Sequence, residues 1–205
     1  SKGWGTGGLG LRVAGDAFGS DEGTTADGRK VGRGSWEDTD RTWMVSGEDP
    51  WSTYRYAGTA AHLAYADELA GVKRDPAGVD WAREAREAYA WARANTRKTD
   101  EAVRGEGLRH PRAYAAACLF RLTGDQDYER QLAADTQWVK PDTVLQDEAA
   151  YGPFVHALGG GKSAQRTDLA ERLRAAILHT ADQVVLSPAA KRALRWGGDF
   201  NMPML

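Results

Sequence analysis

Cysteine is almost absent from this chain of 205 residues, which contains a single thiol, Cys118. One cysteine excludes an internal disulfide and any cysteine-rich zinc site. It lies in an apolar stretch with helical character, residues 114–120, where a free thiol is usually buried. The pattern therefore indicates an inert core thiol rather than a nucleophile.

The chain also has no large net charge, since it contains 27 basic and 29 acidic residues. Without a general electrostatic field, a nucleic acid or an anionic membrane surface is a disfavoured partner. No apolar run approaches the roughly 20 residues that a membrane-spanning helix needs, and no signal peptide opens the chain. If the protein is exported, we expect that its signal has been removed.

Recognisable metal-binding patterns are scarce. The four histidines lack the i, i+4 spacing and the cysteine partners of a zinc site: His62, His110, His156 and His179. Acidic groups in the N-terminal part offer the oxygen ligands that calcium prefers: Asp21, Glu22, Glu37, Asp38 and Asp40. Their spacing matches no EF-hand loop, so solvated loops are favoured. We predict no metal site, and a structural calcium ion stays open.

Glycine and aromatic residues, in contrast, are plentiful, with 24 glycines, eight tryptophans and seven tyrosines. Such a composition suits a protein that presents flat aromatic faces to a ligand, although most tryptophans in any domain are packing residues. Residues 1–50 are rich in glycine, aspartate and serine and show no sustained period. We predict a loop-rich lead-in there, with one short strand near residues 9–13.

From residue 51 onward, helical spacing of apolar residues recurs between short loops. The predicted helices are 52–70 before Gly71, 81–95 after the cap Asp80, 111–122 from Pro111, 125–134, 147–158 and 163–185. No strand pattern lies between them. Residues 51–205 are therefore predicted to form an all-α fold of stacked helical hairpins.

Four segments in this order resemble one family of enzymes. Residues 43–64 read WMVSGEDPWSTYRYAGTAAHLA, residues 81–92 read WAREAREAYAWA, residues 115–125 read AAACLFRLTGD, and residues 195–201 read RWGGDFN. They are similar to the entry into the alanine-rich helix, the next aromatic-bearing helix, the "AAxELYxxTGD" run and the "YxWGSN" segment of family 9 glycoside hydrolases. The resemblance covers about residues 9–205.

This resemblance implies part of an (α/α)6 barrel, a helical toroid, in a secreted enzyme that hydrolyses β-1,4-glucan with inversion and requires no cofactor. In the family, the catalytic base comes from an "AGDY"-type loop and the acid from a glutamate near the C-terminus, and neither segment matches here. Ala14-Gly15-Asp16 spells part of the base motif, so Asp16 is the catalytic candidate, with an accidental match as the alternative. We expect the remaining segments of the same catalytic domain to be partners of this chain.

Substrate contacts are predicted at two places. Trp196, with Arg195 and Asn201, lies in the family-like C-terminal segment, where an indole face can pack on a sugar ring and the polar groups can bind hydroxyls, with a core tryptophan behind a loop as the alternative. Trp51 and Tyr54 flank the start of the first helix and are candidates for a sugar platform, with packing as the alternative role.

The sequence departs from the family pattern where the third helix opens and before the fifth. His110 and Pro111 replace an Asp-Glu pair, and Leu145 or a neighbour replaces a tryptophan. Two alternatives to the glucan hydrolase remain open. One is a non-catalytic helical module that binds a carbohydrate or a partner, and the other is an unrelated α/α-toroid enzyme.

Overall fold

The computed structural model describes residues 13–15, 43–45, 48–72, 78–97 and 106–187. Two short strands, β1 (Val13–Gly15) and β2 (Trp43–Val45), pair in antiparallel register, with Val13 opposite Val45. Six helices follow: α1 (Pro50–Ala70), α2 (Trp81–Asn95), α3 (Glu106–Thr123), α4 (Gln126–Asp135), α5 (Glu148–Ala157) and α6 (Thr167–Thr180). A π-helical turn, Ala181–Leu186, continues α6. The predicted all-α class is confirmed.

Local capping signals explain both ends of α1. The Asp49 side chain accepts hydrogen bonds from the backbone N–H groups of Trp51 and Ser52, at 2.9 and 3.4 Å. Pro50 occupies the first turn, where a missing N–H costs nothing. Gly71 ends the helix with φ of 67°, as predicted. The predicted start at Ser52 is wrong by two residues, because aspartate followed by proline is the cap that forms.

Two other predicted starts are wrong, whereas the predicted cap Asp80 of α2 is confirmed, and α4 begins at Gln126, one residue after the predicted start at 125. Helix α3 begins at Glu106, so Pro111 lies inside the helix rather than in its first turn. Helix α6 begins four residues later than predicted. Residue 163, where the helix was predicted to begin, lies in the preceding loop, where the Ser163 hydroxyl donates to the carbonyl of Gly124 at 2.9 Å.

Helices α1, α3 and α5 lie side by side and run parallel, forming the inner layer. The residue numbers of contacting partners rise together along α1 and α3: Gly58 contacts Tyr114, His62 contacts Cys118, and Tyr65 contacts Arg121. Along α3 and α5, Ala113 meets Gly152 and Arg121 meets Gly161 just beyond the helix. Contacts that advance in the same direction on both members of a pair define parallel helices.

Helices α2, α4 and α6 form the outer layer, and each packs antiparallel on the inner helix that precedes it. In the first pair, Tyr54 of α1 contacts Tyr89 of α2, and the phenol of Tyr56 donates to Glu84 at 2.8 Å. The partners on α2 fall in number as those on α1 rise, so the two helices are antiparallel. On the second pair, Arg112 near the start of α3 binds Asp135 at the end of α4. The described helices therefore form three α-hairpins, each with one inner and one outer helix.

Small side chains fill the core between these helices. Half of the residues in the buried hydrophobic cluster are alanines: Ala57, Ala60, Ala61, Ala64, Ala85, Ala88, Ala92, Ala113, Ala115, Ala116, Ala117 and Ala176. Alanine lets helix axes come close together, and the larger Leu119, Leu132 and Leu173 belong to the same buried cluster. The Arg112–Asp135 ion pair links α3 to α4 at 2.7 Å and gives the buried Asp135 carboxylate a partly buried cationic partner.

Replacing Gly152 with alanine is expected to lower the free energy of unfolding by about 1–3 kcal/mol through overpacking. The new Cβ would lie 2.9 Å from the backbone carbonyl carbon of Ala113, which cannot move aside without displacing α3. At an unobstructed helical position the same change stabilises by about 0.5–1 kcal/mol, so its sign is diagnostic. Urea unfolding followed by circular dichroism measures the difference.

The matched control is Gly58→Ala, whose Cβ would meet the ring of Tyr114 instead of backbone. A smaller loss is expected there, because a side chain can rotate away. A Gly152→Ala variant as stable as the parent chain would contradict the close approach of α5 to α3.

Candidate functional site

A groove runs along the face of the inner layer that points away from α2, α4 and α6, and we call it the open groove. It encloses about 340 Å³. Its lining combines aromatic, apolar and polar side chains from all three inner helices: Arg55, Thr59, His62, Tyr114, Tyr151, Phe154 and Val155. Aromatic faces beside a few hydrogen-bonding groups are the usual equipment of a site for a small organic ligand or a sugar.

The Tyr114 ring forms the floor of the open groove, since the helices on both sides carry glycine next to it. Gly58 of α1 lies directly against the ring, and Gly152 of α5 lies against the backbone at Ala113 and Tyr114. The Tyr151 ring meets the Tyr114 ring edge-on, with centroids 6.1 Å apart. Burial raises the pKa of Tyr114 to about 12, so the phenol stays neutral.

Arg55 joins the open groove to the edge at which the parallel helices begin, which we call the N-terminal edge. Its guanidinium lies over the indole of Trp51, 4.5 Å from the ring centroid. The same guanidinium is 3.3 Å from a carboxylate oxygen of Glu148, the first residue of α5. Cation–π stacking and an ion pair together hold Arg55 between α1 and α5.

Asp147, immediately before α5, has φ of 47°, the positive-φ region that non-glycine residues seldom adopt. It occupies the cap position but makes no capping hydrogen bond through its side chain. Glu148 is turned toward Arg55, so the two adjacent acids do not face one another across a ligand. The strained backbone therefore lies next to the only ion pair that spans α1 and α5 in the described residues.

Behind the lining of the open groove, the buried thiol of Cys118 lies next to the imidazole of His62. The Sγ of Cys118 lies 3.6 Å from Nδ1 of His62. Burial raises the pKa of the Cys118 thiol to about 12, and burial together with the nearby Arg121 charge lowers the pKa of His62. A thiol in that state has no thiolate to attack with, so this pair is not a nucleophile and its base.

Of the predicted substrate-binding residues at the start of α1, only Trp51 lies at a surface. It is half-buried at the N-terminal edge beneath Arg55. Tyr54 is 1% exposed and packs edge-on against Tyr89, with ring centroids 5.4 Å apart. Burial raises the pKa of Tyr54, against opposing contributions from Thr96 and Arg112. A ring enclosed in this way offers no face to a sugar, so Tyr54 has the packing role.

The other predicted site residues lie outside the described part of the chain: Asp16, Arg195, Trp196 and Asn201, together with the acidic residues at 21–22 and 37–40. Among the described residues, no group of three or more histidine, cysteine or acidic side chains is arranged to hold a metal ion. No helix there has both the length and the apolar character needed to cross a membrane.

Sequence reasoning missed the open groove itself. Tyr151 and Phe154 of α5 and its C-cap Leu158 follow one another at i, i+3 and i+7, and they remain 43%, 50% and 56% exposed. This spacing normally indicates the buried face of an amphipathic helix. The missed signal was the opposite face of α5, where Gly152, Pro153 and His156 are the residues that are buried.

Comparison of the whole chain with protein-family models, with curated proteins and with solved structures found no match. The resemblance to family 9 glycoside hydrolases therefore rests on the four sequence segments alone.

Alkylation of Cys118 by iodoacetamide is expected to be about 100-fold slower, or more, in the folded chain at pH 8 than in the urea-unfolded chain, because thiolate is the reactive form. Mass spectrometry over time measures both rates. The matched control carries Cys118→Ala with Val144→Cys, which moves the thiol to an exposed position. That variant should react at similar rates folded and unfolded. Rapid labelling of folded Cys118 would contradict the closed wall of the open groove.

Proposed function

We propose that this chain supplies about half of an (α/α)6 barrel in the catalytic domain of a family 9-type glycoside hydrolase acting on β-1,4-glucan. The observation that carries the proposal is the arrangement of the hairpins. Three parallel inner helices, each backed by an antiparallel outer helix, are the repeating unit that a ring of six hairpins requires. The four family-like segments support the same interpretation in sequence order.

The exposed stripe of α5 is consistent with such a ring. A hairpin arc that closes into a barrel turns its inner face toward the hairpins on the opposite side, so apolar residues on that face would be covered. Phe154 and Leu158 lie on this face and are at least half exposed in the described structure. We therefore propose that the remaining segments of the same domain pack over the open groove.

An inverting glycosidase needs an acid and a base whose carboxyl groups lie about 6.5–9.5 Å apart. In the described residues, the lining of the open groove contains no carboxylate, and the adjacent Glu148 is paired with Arg55. We accordingly propose that the catalytic acid comes from another segment of the domain, and that the base does so too unless Asp16, the candidate within this chain, supplies it. The chemistry calls for no cofactor, and a calcium ion, if present, would serve the fold.

The described residues would contribute substrate binding at the N-terminal edge. The Trp51 indole can stack on the apolar face of a glucose unit, and Arg55 and Glu148 can bind its hydroxyls. Arg195, Trp196 and Asn201 remain the proposed contacts from the C-terminal segment. Because β-glucan is an extracellular polymer, the proposal includes secretion of the enzyme.

The proposal is tested by reducing-sugar release from soluble cellulose. The chain as it stands is compared with a form extended at both ends by its gene. We expect activity only in the extended form, since the chain lacks matched catalytic segments. Activity on a different polysaccharide alone would favour an unrelated α/α-toroid enzyme, and no activity on any polysaccharide by a folded extended form would overturn the proposal.

In the extended form, Trp51→Ala is expected to lower kcat/KM on cello-oligosaccharides by roughly tenfold, equivalent to about 1.4 kcal/mol of lost transition-state binding. The matched control is Trp91→Ala, which removes a half-buried indole from the outer helix α2. Both variants need the same thermal unfolding measurement, so that a folding defect is recognised. Equal losses in kcat/KM would show that Trp51 has no special part in binding glucan.

A second candidate function, a non-catalytic module that binds a protein partner, is favoured by the same stripe of Tyr151, Phe154 and Leu158. For such a module, Phe154→Asp should abolish concentration-dependent association of the chain, measured by sedimentation velocity, with little change in thermal stability. The control is Leu69→Asp, which alters an exposed residue near the C-terminal end of α1, outside the lining of the open groove. A chain that stays monomeric with and without the change would show that the stripe does not bind a second copy of this chain.

A further inference from the structure

A buried polar cluster lies away from the open groove, between α4, α5 and the start of α6. The side chains of Glu129 and His156 are both 0% exposed, and His156 Nε2 lies 2.9 Å from Oε1 of Glu129. The same carboxylate oxygen accepts a hydrogen bond from the backbone N–H of Arg166, also at 2.9 Å. One oxygen atom therefore joins two helices to the residue that caps a third.

The connection between α5 and α6, residues 158–166, is tied to this cluster a second time. The Gln165 side chain donates to the carbonyl oxygen of His156. The connection begins with Gly159, Gly160 and Gly161, whose φ angles of 66°, 73° and 126° are readily adopted only by glycine. Such a glycine run has little conformational preference of its own, so its path is determined by hydrogen bonds, those to the cluster together with the bond from the Ser163 hydroxyl to Gly124.

The geometry also selects the protonation state of His156. Because a carboxylate oxygen accepts a hydrogen bond, we assign the hydrogen of this 2.9 Å contact to Nε2 of His156. Nδ1 is buried, and no hydrogen-bond partner lies within reach of it among the described residues. A second proton, placed on Nδ1, would be a buried donor without an acceptor. The neutral imidazole is the form that fits this site.

The charged groups around His156 come from each neighbouring element. The carboxyl group of Glu129, on α4, is bonded directly to the imidazole, and from α3 the Phe120 ring stacks on it with centroids 6.0 Å apart. The Arg166 guanidinium is engaged by Asp168 at 2.7 Å, and Arg174 of α6 reaches the carbonyl of Ala157. Burial lowers the pKa of His156 below its ordinary 6.5, although the hydrogen bond and charge of Glu129 act in the opposite direction.

We propose that Glu129, His156 and the backbone N–H of Arg166 form an acid-sensitive latch, which holds the α5–α6 connection against α4 at neutral pH and releases it in weak acid. When the imidazole takes up a proton at Nδ1, it must leave the apolar site beside Phe120 to find water. The carboxylate then loses its donor from α5, and the connection loses the anchor that fixes the start of α6.

The direction of the pH dependence follows from the two forms. The released state binds a proton at His156 near pH 6.5, whereas the latched state accepts it only at lower pH. The latch is therefore at full strength above about pH 6.5 and weakens as the pH falls further.

Hydrogen exchange measured by mass spectrometry on the full chain tests this directly. After correction for intrinsic exchange rates, protection of peptides covering 158–169 should fall by about threefold to tenfold between pH 7.5 and pH 5.5. Peptides from α1 and α2 should keep their protection over the same range. A loss that is equal in all helices, or no loss at 158–169, would overturn the latch.

His156→Gln is the decisive variant, because its amide nitrogen can donate to Glu129 but cannot titrate. Its protection at 158–169 should not change between the two pH values. His179→Gln, which removes a histidine of α6 outside the cluster, should keep the pH response of the parent chain. A His156→Gln chain that responds to pH as strongly as the parent would refute the proposal.

If His156→Gln does not fold, nitrogen-15 NMR of the parent chain decides instead. The proposal requires the neutral tautomer with hydrogen on Nε2 at pH 7.5, and it requires that the ring titrate together with the exchange at 158–169. An imidazolium, or the tautomer with hydrogen on Nδ1, at pH 7.5 would overturn it.

Discussion

The close approach of three parallel helices is the constraint on which the rest of this structure depends. Alpha-helices that run in the same direction without a connecting hairpin must be held by side-to-side packing alone. Here α3 meets α1 at Gly58 and α5 at Gly152, so a phenol ring and a stretch of backbone lie where side chains would otherwise stand. The position of each outer helix follows from this layer, because each outer helix packs on the inner helix that precedes it in sequence.

The same approach determines the shape of the open groove. With no side chain at Gly58, the Tyr114 ring lies deep between α1 and α5 instead of projecting outward. The side chains that rise on either side, Arg55 and Tyr151 among them, form walls around it. Packing of the fold and the form of the candidate site are therefore one problem rather than two.

Local signals predicted much of the helical framework, since they act within a few residues. Asp80, Asp125 and Gly71 mark helix ends through hydrogen bonds or a backbone angle that the neighbouring residues fix. The errors came where distant residues decide. Pro111 looks like a helix start, yet α3 extends five residues upstream of it, and the lead-in to α6 is held by hydrogen bonds to Gly124 and Glu129.

The candidate site was less predictable for the same reason. Trp51 and Tyr54 stand three residues apart at the start of α1 and look equivalent in sequence, but Tyr89 of α2 covers one of them. Likewise, the spacing of Tyr151 and Phe154 predicts a buried face, whereas the packed side of α5 is marked by a glycine and a proline. The buried face of a helix depends on where the neighbouring helices pack, and the spacing of apolar residues along one helix does not reveal this.

The parallel inner layer has an electrical consequence at the N-terminal edge. Each α-helix carries the equivalent of roughly half a positive charge at its first turn and half a negative charge at its last. Three first turns therefore meet at this edge, while the antiparallel outer helices bring their last turns to the same end, one layer further out. The resulting field points outward across the two layers. Any carboxylate brought to the inner rim would be stabilised as an anion, which suits a group that accepts a proton and opposes one that must donate it.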